Sequence, residues 1–189
     1  MNLWFLKTRF DMKKTDIDEI EGAFILESSV FTDVRGKLLK PYIYETLDNT
    51  WGFQPMESWF TVSHANVIRA MHMQLGEKPG RKVVCLISGE IEDVLLDTRK
   101  GFSTYGNTFR IKLSSLSSEL KIICIPVGVA HGYRTFGDNT VVMYMSDVVH
   151  DSDSDIGYNW NSIGIDWQIE NPIISERDKH LPHFIPTEL

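Results

Sequence analysis

The chain has 189 residues, 42% hydrophobic and 24% charged, the proportions of an ordinary globular protein able to bury a sizeable core. Its 26 acidic residues outnumber 19 basic ones, for a net charge of −7, which excludes the broad basic field that nonspecific nucleic-acid or membrane-surface binding requires. No stretch approaches the roughly 20 apolar residues of a membrane helix, and Leu3-Trp4-Phe5-Leu6 is too short for a signal-peptide core, so a cytoplasmic location is expected.

In chain order, residues 1–11 precede a second methionine, Met12, and read as a peripheral extension of one domain spanning 1–189. Short apolar runs then recur at 23–26, 37–44, 59–63, 66–74, 82–87, 91–97, 108–113, 120–126 and 141–149. Turn residues separate them, among them Asp33-Val34-Arg35-Gly36, Lys78-Pro79-Gly80, Ser88-Gly89, Tyr105-Gly106-Asn107 and Gly137-Asp138-Asn139. Helical signal is weak, amounting to a turn near 114–119 and a short piece near 175–180. Strands at this spacing without a long helical period predict an all-β, antiparallel sandwich or barrel. Cys85 and Cys124 each lie within an apolar run and read as buried, reduced thiols.

Chemistry concentrates in Val67-Ile68-Arg69-Ala70-Met71-His72-Met73-Gln74, followed by Lys82. An imidazole moves protons near neutrality, and an arginine and a lysine hold anions, so an acidic substrate and a proton transfer are implied. Pro126-Val127-Gly128-Val129-Ala130 is a tight turn that delivers His131 onto the next strand. One alternative is a metal site built from His72, Glu77 and His131, but Gln74 stands where a second strand histidine would be needed, leaving two good nitrogen donors. No nucleophile elbow and no phosphate loop is present. Acid–base chemistry at a carbon or carbonyl remains, which needs a base, an acid on the opposite side of the substrate and a group to hold developing negative charge.

From Phe31 to Asp178 the chain resembles the dTDP-4-dehydrorhamnose 3,5-epimerase family. The resemblance rests on ordered motifs: Phe31-x-Asp33-x-Arg35-Gly36, Val67-Ile68-Arg69-x-Met71-His72-x-Gln74, Lys82-Val83-Val84, Ser88-Gly89-Glu90, Asp93-Val94-x-x-Asp97-x-Arg99, Ser103-x-Tyr105-Gly106, Ile125-Pro126-x-Gly128-x-Ala130-His131-Gly132-Tyr133, Tyr144, Ile165-Asp166-Trp167 and Ser175-Glu176-Arg177-Asp178. It implies a metal-free cupin jelly roll without cofactor, a homodimer with strands shared between subunits, and inversion of C3, C5 or both in a nucleoside-diphosphate 4-keto-6-deoxy sugar for surface polysaccharide. Position by position, it makes His72 the base, Asp178 its carboxylate partner, Tyr144 the acid and Lys82 the cation beside the C4 oxygen. Arg35 and Arg69 become holders of the diphosphate, for which a guanidinium fork is suited. His131 is either a further lining residue or a structural one. Tyr144 reads equally as a core aromatic, Asp178 as a helix cap, and Arg69 as an ion-pair partner.

The base-recognition positions depart from the family. Lys40 stands in place of a glutamate, and Glu57 and Trp59 in place of a glutamine and an asparagine, which changes the donors and acceptors offered to a nucleobase. The sequence reading therefore favours GDP over CDP or dTDP, on a hexose or heptose. The alternatives are a metal-dependent cupin, a sugar-nucleotide 3,4-ketoisomerase and a non-catalytic sugar-nucleotide-binding cupin.

Overall fold

A computed structural model describes residues 12–186; the peripheral extension expected at 1–11 lies outside the described residues. In chain order the elements are β1 (Lys13–Asp16), β2 (Phe24–Ser29), β3 (Phe31–Asp33), β4 (Gly36–Leu38), α1 (Tyr44–Trp51), β5 (Glu57–Ser63), β6 (Ile68–Gln74) and β7 (Lys82–Ser88). There follow β8 (Glu90–Asp97), β9 (Thr108–Ser114), β10 (Glu119–Ile125), β11 (Val129–Thr135), β12 (Thr140–Ser146), β13 (Asp155–Gly157) and α2 (Glu176–Lys179). Two antiparallel sheets face each other as a cupin-type jelly roll. One has the order β1-β2-β10-β7-β12-β5, the other β13-β6-β11-β8-β9, and β3 and β4 form a separate hairpin.

The alternating pleat sorts the hydrophobic residues into three layers. Between the sheets lie Ile25, Val84, Leu86, Leu95, Ile123 and Val142. Their strand neighbours Phe24, Leu26, Val83, Cys85, Ile122 and Cys124 point outward and are covered by Leu47 of α1 and by Phe53. On the far side of the second sheet, Ile68, Met71, Met73, Val94 and Leu96 pack under Ile163, Trp167 and Phe184 from the C-terminal segment. Both cysteines are buried and unpaired, and burial pushes the Cys85 thiol up to about 12.

Two sequence expectations change. The run at 37–44 is not a strand: pairing ends at Leu38, and the chain turns into α1 at Tyr44. That helix is short, has no side-chain cap at Ile43 and buries only Leu47, so no capping or periodic signal announces it. The turn expected at 114–119 is the β9–β10 connection, closed by Ser117 N–H donating to the Ser114 carbonyl at 3.2 Å. Among the described residues no helix is long and apolar enough to cross a membrane.

Candidate active site

Strand parity decides which side chains enter the space between the sheets. On β7, Lys82 shares the inward face of Val84 and Leu86. Arg81 turns the other way, its guanidinium 4.8 Å from the Trp51 ring and ion-paired with Asp147. On β12 the inward residues include Tyr144 and Ser146, and on β5 they are Glu57, Trp59 and Thr61. Strand β6 departs from simple alternation: His72 faces His131 and Arg69 faces Tyr133, three steps against two. The extra residue is a β-bulge, and it brings Arg69 and His72 onto one face although their spacing would otherwise separate them. Lys82, Tyr144, Ser146, Glu57, Trp59, Thr61, Arg69, His72 and His131 line one open cavity of about 450 Å³.

His72 and Asp178 meet across 106 residues of sequence, with 3.1 Å between Nε2 and Oδ2. Ser175, not Asp178, caps α2: its hydroxyl accepts from the Asp178 backbone N–H at 3.1 Å and fixes the carboxylate in the first turn. Burial opposes ionisation of Asp178, but hydrogen bonds from His72 and Ser175 outweigh it and hold its pKa below the usual carboxylate value. An ionised Asp178 accepts the Nε2 proton, while His72 Nδ1 is buried and has no hydrogen-bond partner among the described residues.

Lys82 Nζ donates to the His72 backbone carbonyl at 3.5 Å. Burial is the main influence on this ammonium, lowering its pKa to about 8; Asp155 opposes the shift and Arg177 adds to it. Tyr144 lies on β12, in the same sheet as Lys82 and opposite the sheet that carries His72. Its ring stacks on Trp59, with centroids 5.1 Å apart and 1° between the planes, and stands edge-on to His131 at 5.9 Å. Burial first, then the neighbouring Tyr133 and Asp93, pushes its pKa well above 10. His131 both lines the cavity and is pinned by Asp93, with 2.8 Å between Nε2 and Oδ2. Burial pushes the pKa of Asp93 up despite this imidazole.

Trp59 is committed to the Tyr144 ring and Glu57 sits at the same cavity beside Ser146. Two expected residues are not brought in. Arg35 is 86% exposed at the tip of the β3–β4 hairpin and paired with Asp33, and Lys40 does not line the cavity. The metal set is not assembled either. Glu77 is exposed outside the cavity, and the Gln74 amide donates to the carbonyls of Lys78 at 2.9 Å and Val149 at 3.2 Å. Among the described residues, no three histidine, cysteine or acidic side chains gather closely enough to hold an ion.

Sequence reasoning did not single out Thr61, Tyr133, Ser146, His150 or Asp155. Parity was a usable signal for Thr61 and Ser146, which repeat the faces of Trp59 and Tyr144. His150 and Asp155 arrive from the segment after β12, where no period predicts their direction. As a whole the cavity sets the β6 imidazole, paired with a carboxylate from α2, against a phenol and an ammonium from the facing sheet. Such an arrangement can take a proton from carbon on one face, hold the resulting enolate and return a proton to the other face.

Comparison with known proteins gives concordant matches. The family model of dTDP-4-dehydrorhamnose 3,5-epimerase matches residues 18–185. A dTDP-4-dehydrorhamnose 3,5-epimerase of Methanothermobacter thermautotrophicus is 35% identical over 179 residues, covering 90% of this chain and 92% of the relative. The enzyme of that name from Escherichia coli is 31% identical over 168 residues, covering 86% and 90%. A crystal structure of the Bacillus anthracis enzyme with TDP and pyrophosphate bound aligns with a TM-score of 0.84 at 31% identity, covering 92% of this chain and all of that one.

Proposed function

The chain belongs to the dTDP-4-dehydrorhamnose 3,5-epimerase family, and from that premise we propose that it epimerises a dTDP-linked 4-keto-6-deoxy sugar at C3, C5 or both. The observation that carries this reading is the placement of His72 and Tyr144 on facing sheets of one cavity. His72 removes the proton from a carbon beside the C4 ketone, and the electron pair passes into the carbonyl as an enolate. The Lys82 ammonium stabilises the oxygen. Tyr144 then gives its hydroxyl proton to the opposite face of the same carbon and the carbonyl reforms. His72 returns its proton to solvent and the phenolate takes one back. Arg69, at the edge of the cavity, suits the diphosphate.

The GDP preference drawn from Lys40, Glu57 and Trp59 gains no support from the comparisons, whose family and reported relatives carry dTDP in their names. The stacking of Trp59 on Tyr144 gives its departure from the family a reason unrelated to the base. A panel of dTDP-, GDP- and CDP-linked 4-keto-6-deoxy sugars, with products identified by NMR, tests the reading. Turnover at least about tenfold more efficient with the dTDP sugar is expected. Preference for GDP, or a product with its keto group moved to C3, would replace it with the guanosine or ketoisomerase reading.

We infer a homodimer on two further grounds. Strand β5 is a sheet edge whose outward residues Phe60 and Val62 are exposed, with Met56 just before it, an apolar strip of the kind that partners cover. Arg35, expected at the diphosphate, lies outside the cavity of its own chain, and a second copy supplying it would complete the site.

A further inference from the structure

The cavity holds a contact that the reaction so far does not use. Trp59 on β5 and Tyr144 on β12 are direct partners across the ladder. Their rings stack with centroids 5.1 Å apart and 1° between the planes, and parallel rings at that separation are offset, an arrangement that aromatic pairs favour. At its edge the same phenol meets His131 of the facing sheet, 5.9 Å away with 72° between the planes. That imidazole is itself held by Asp93, with 2.8 Å between Nε2 and Oδ2. Tyr144 therefore has an indole on its face and a fixed imidazole at its edge. The neighbours of Trp59 on the same face of β5, Glu57 and Thr61, carry no ring, so the indole alone supplies that strand's flat surface to the phenol.

A tyrosine turns about two side-chain torsions, and the outer one has a broad well. An acid has to lie within hydrogen-bond reach of the atom that it protonates, so free rotation would carry its oxygen out of position. A flat partner on the ring face restricts that rotation. In this reaction the enolate has two fates, protonation by Tyr144 from one side or return of a proton by His72 from the other. How well the phenol is held sets the balance between them.

We infer that Trp59 is a positioning residue for the acid: its stack on Tyr144 holds the phenol where its proton reaches the carbon face opposite His72. This rests on the epimerase reading above. Trp59 acts through Tyr144 and not as a platform for the substrate. Its effect falls on reprotonation and leaves proton removal and substrate binding intact.

The test compares Trp59→Leu, which keeps apolar bulk without a ring, with Trp59→Phe, which keeps a ring to stack; Trp59→Met serves in place of a leucine variant that does not fold. Turnover of dTDP-4-keto-6-deoxyglucose in D2O is followed by NMR, scoring inverted product and deuterium in recovered substrate separately. Trp59→Leu is expected to lower kcat for inversion about fivefold or more with KM within about twofold, the scale of a lost aromatic pair. Deuterium should still enter recovered substrate at close to the wild-type rate. Trp59→Phe is expected to restore most of the inversion. In a Tyr144→Phe background, Trp59→Leu should cost no further inversion, because the indole works through the phenol. A raised KM at unchanged kcat would make the indole a substrate platform and overturn the inference. So would unchanged inversion in the folded ringless variant, exchange and inversion falling together, equal losses with leucine and phenylalanine, or a further loss in the Tyr144→Phe background. If instead the wild-type protein exchanges no proton with any nucleotide 4-keto sugar, the epimerase reading itself fails, a result distinct from an active wild type indifferent to position 59.

Discussion

Lys82 shows how a single side chain can work against the fold and for the reaction. Its burial lowers the pKa from 10.5 to about 8, so the ammonium that would hold the enolate is present below about pH 8 and lost above it. The turnover rate should therefore fall on an alkaline limb centred near pH 8, measured as kcat/KM against pH; a flat profile to about pH 10 would remove Lys82 from this role. For stability the sign is opposite. Between pH 8 and 10.5 the unfolded chain binds the proton that the folded chain has released, so this residue's contribution to stability rises with pH across that window. Lys82→Met should lose activity by about 100-fold or more while gaining on the order of 1 kcal/mol at pH 7 in denaturant unfolding. Loss of both activity and stability would mean that the lysine is structural. Much at this scale was legible from sequence. The pleat separates Lys82 from Arg81, and the family motifs contain His72 and Asp178, although their contact across 106 residues is written in no local pattern. Arg69 beside His72 was not legible from alternation, because a bulge in β6 overrides it.

Among the elements, strands that pack on both faces were readable, since turn residues bracket runs of β-branched and aliphatic side chains. Pieces lacking such contrast were not. Strand β1 is wholly exposed, and α1 has neither a side-chain cap nor a broad apolar face. Strand β13 is three residues long, yet it sets the floor of the site by pairing Gly157 with His72 and Asp155 with Gln74. A Cβ on Gly157 would stand 2.0 Å from the Met71 carbonyl oxygen, a backbone atom that cannot swing aside. Gly157→Ala should therefore push β13 away from β6, destabilising the protein by about 1–3 kcal/mol and reducing activity beyond what the loss of folded protein explains. Thermal unfolding followed by circular dichroism, with assays on the folded fraction, measures both. An unchanged melting temperature would show that the two strands part without consequence.

For the molecule as a whole, the −7 charge and the absence of a basic field were the sequence's least specific statements, and the jelly roll its most secure. Its blind spot was the quaternary arrangement, since neither the exposure of Phe60 and Val62 on β5 nor the position of Arg35 outside the cavity is written in a local pattern. Phe60→Asp should convert a dimer to monomers in sedimentation and lower kcat/KM along with it, because the arginine from the second copy would be lost; a monomeric wild type, or a monomeric variant of full activity, would refute a shared site. The central claim is that His72 on one sheet removes a carbon-bound proton that Tyr144 replaces from the other. Incubation with dTDP-4-keto-6-deoxyglucose in D2O, followed by proton NMR, tests it most directly. Deuterium should appear at C3, C5 or both with inverted configuration, and His72→Asn should slow its appearance by about 100-fold or more. Deuterium entering at an undiminished rate with His72→Asn, or no incorporation by the wild-type protein, would contradict it.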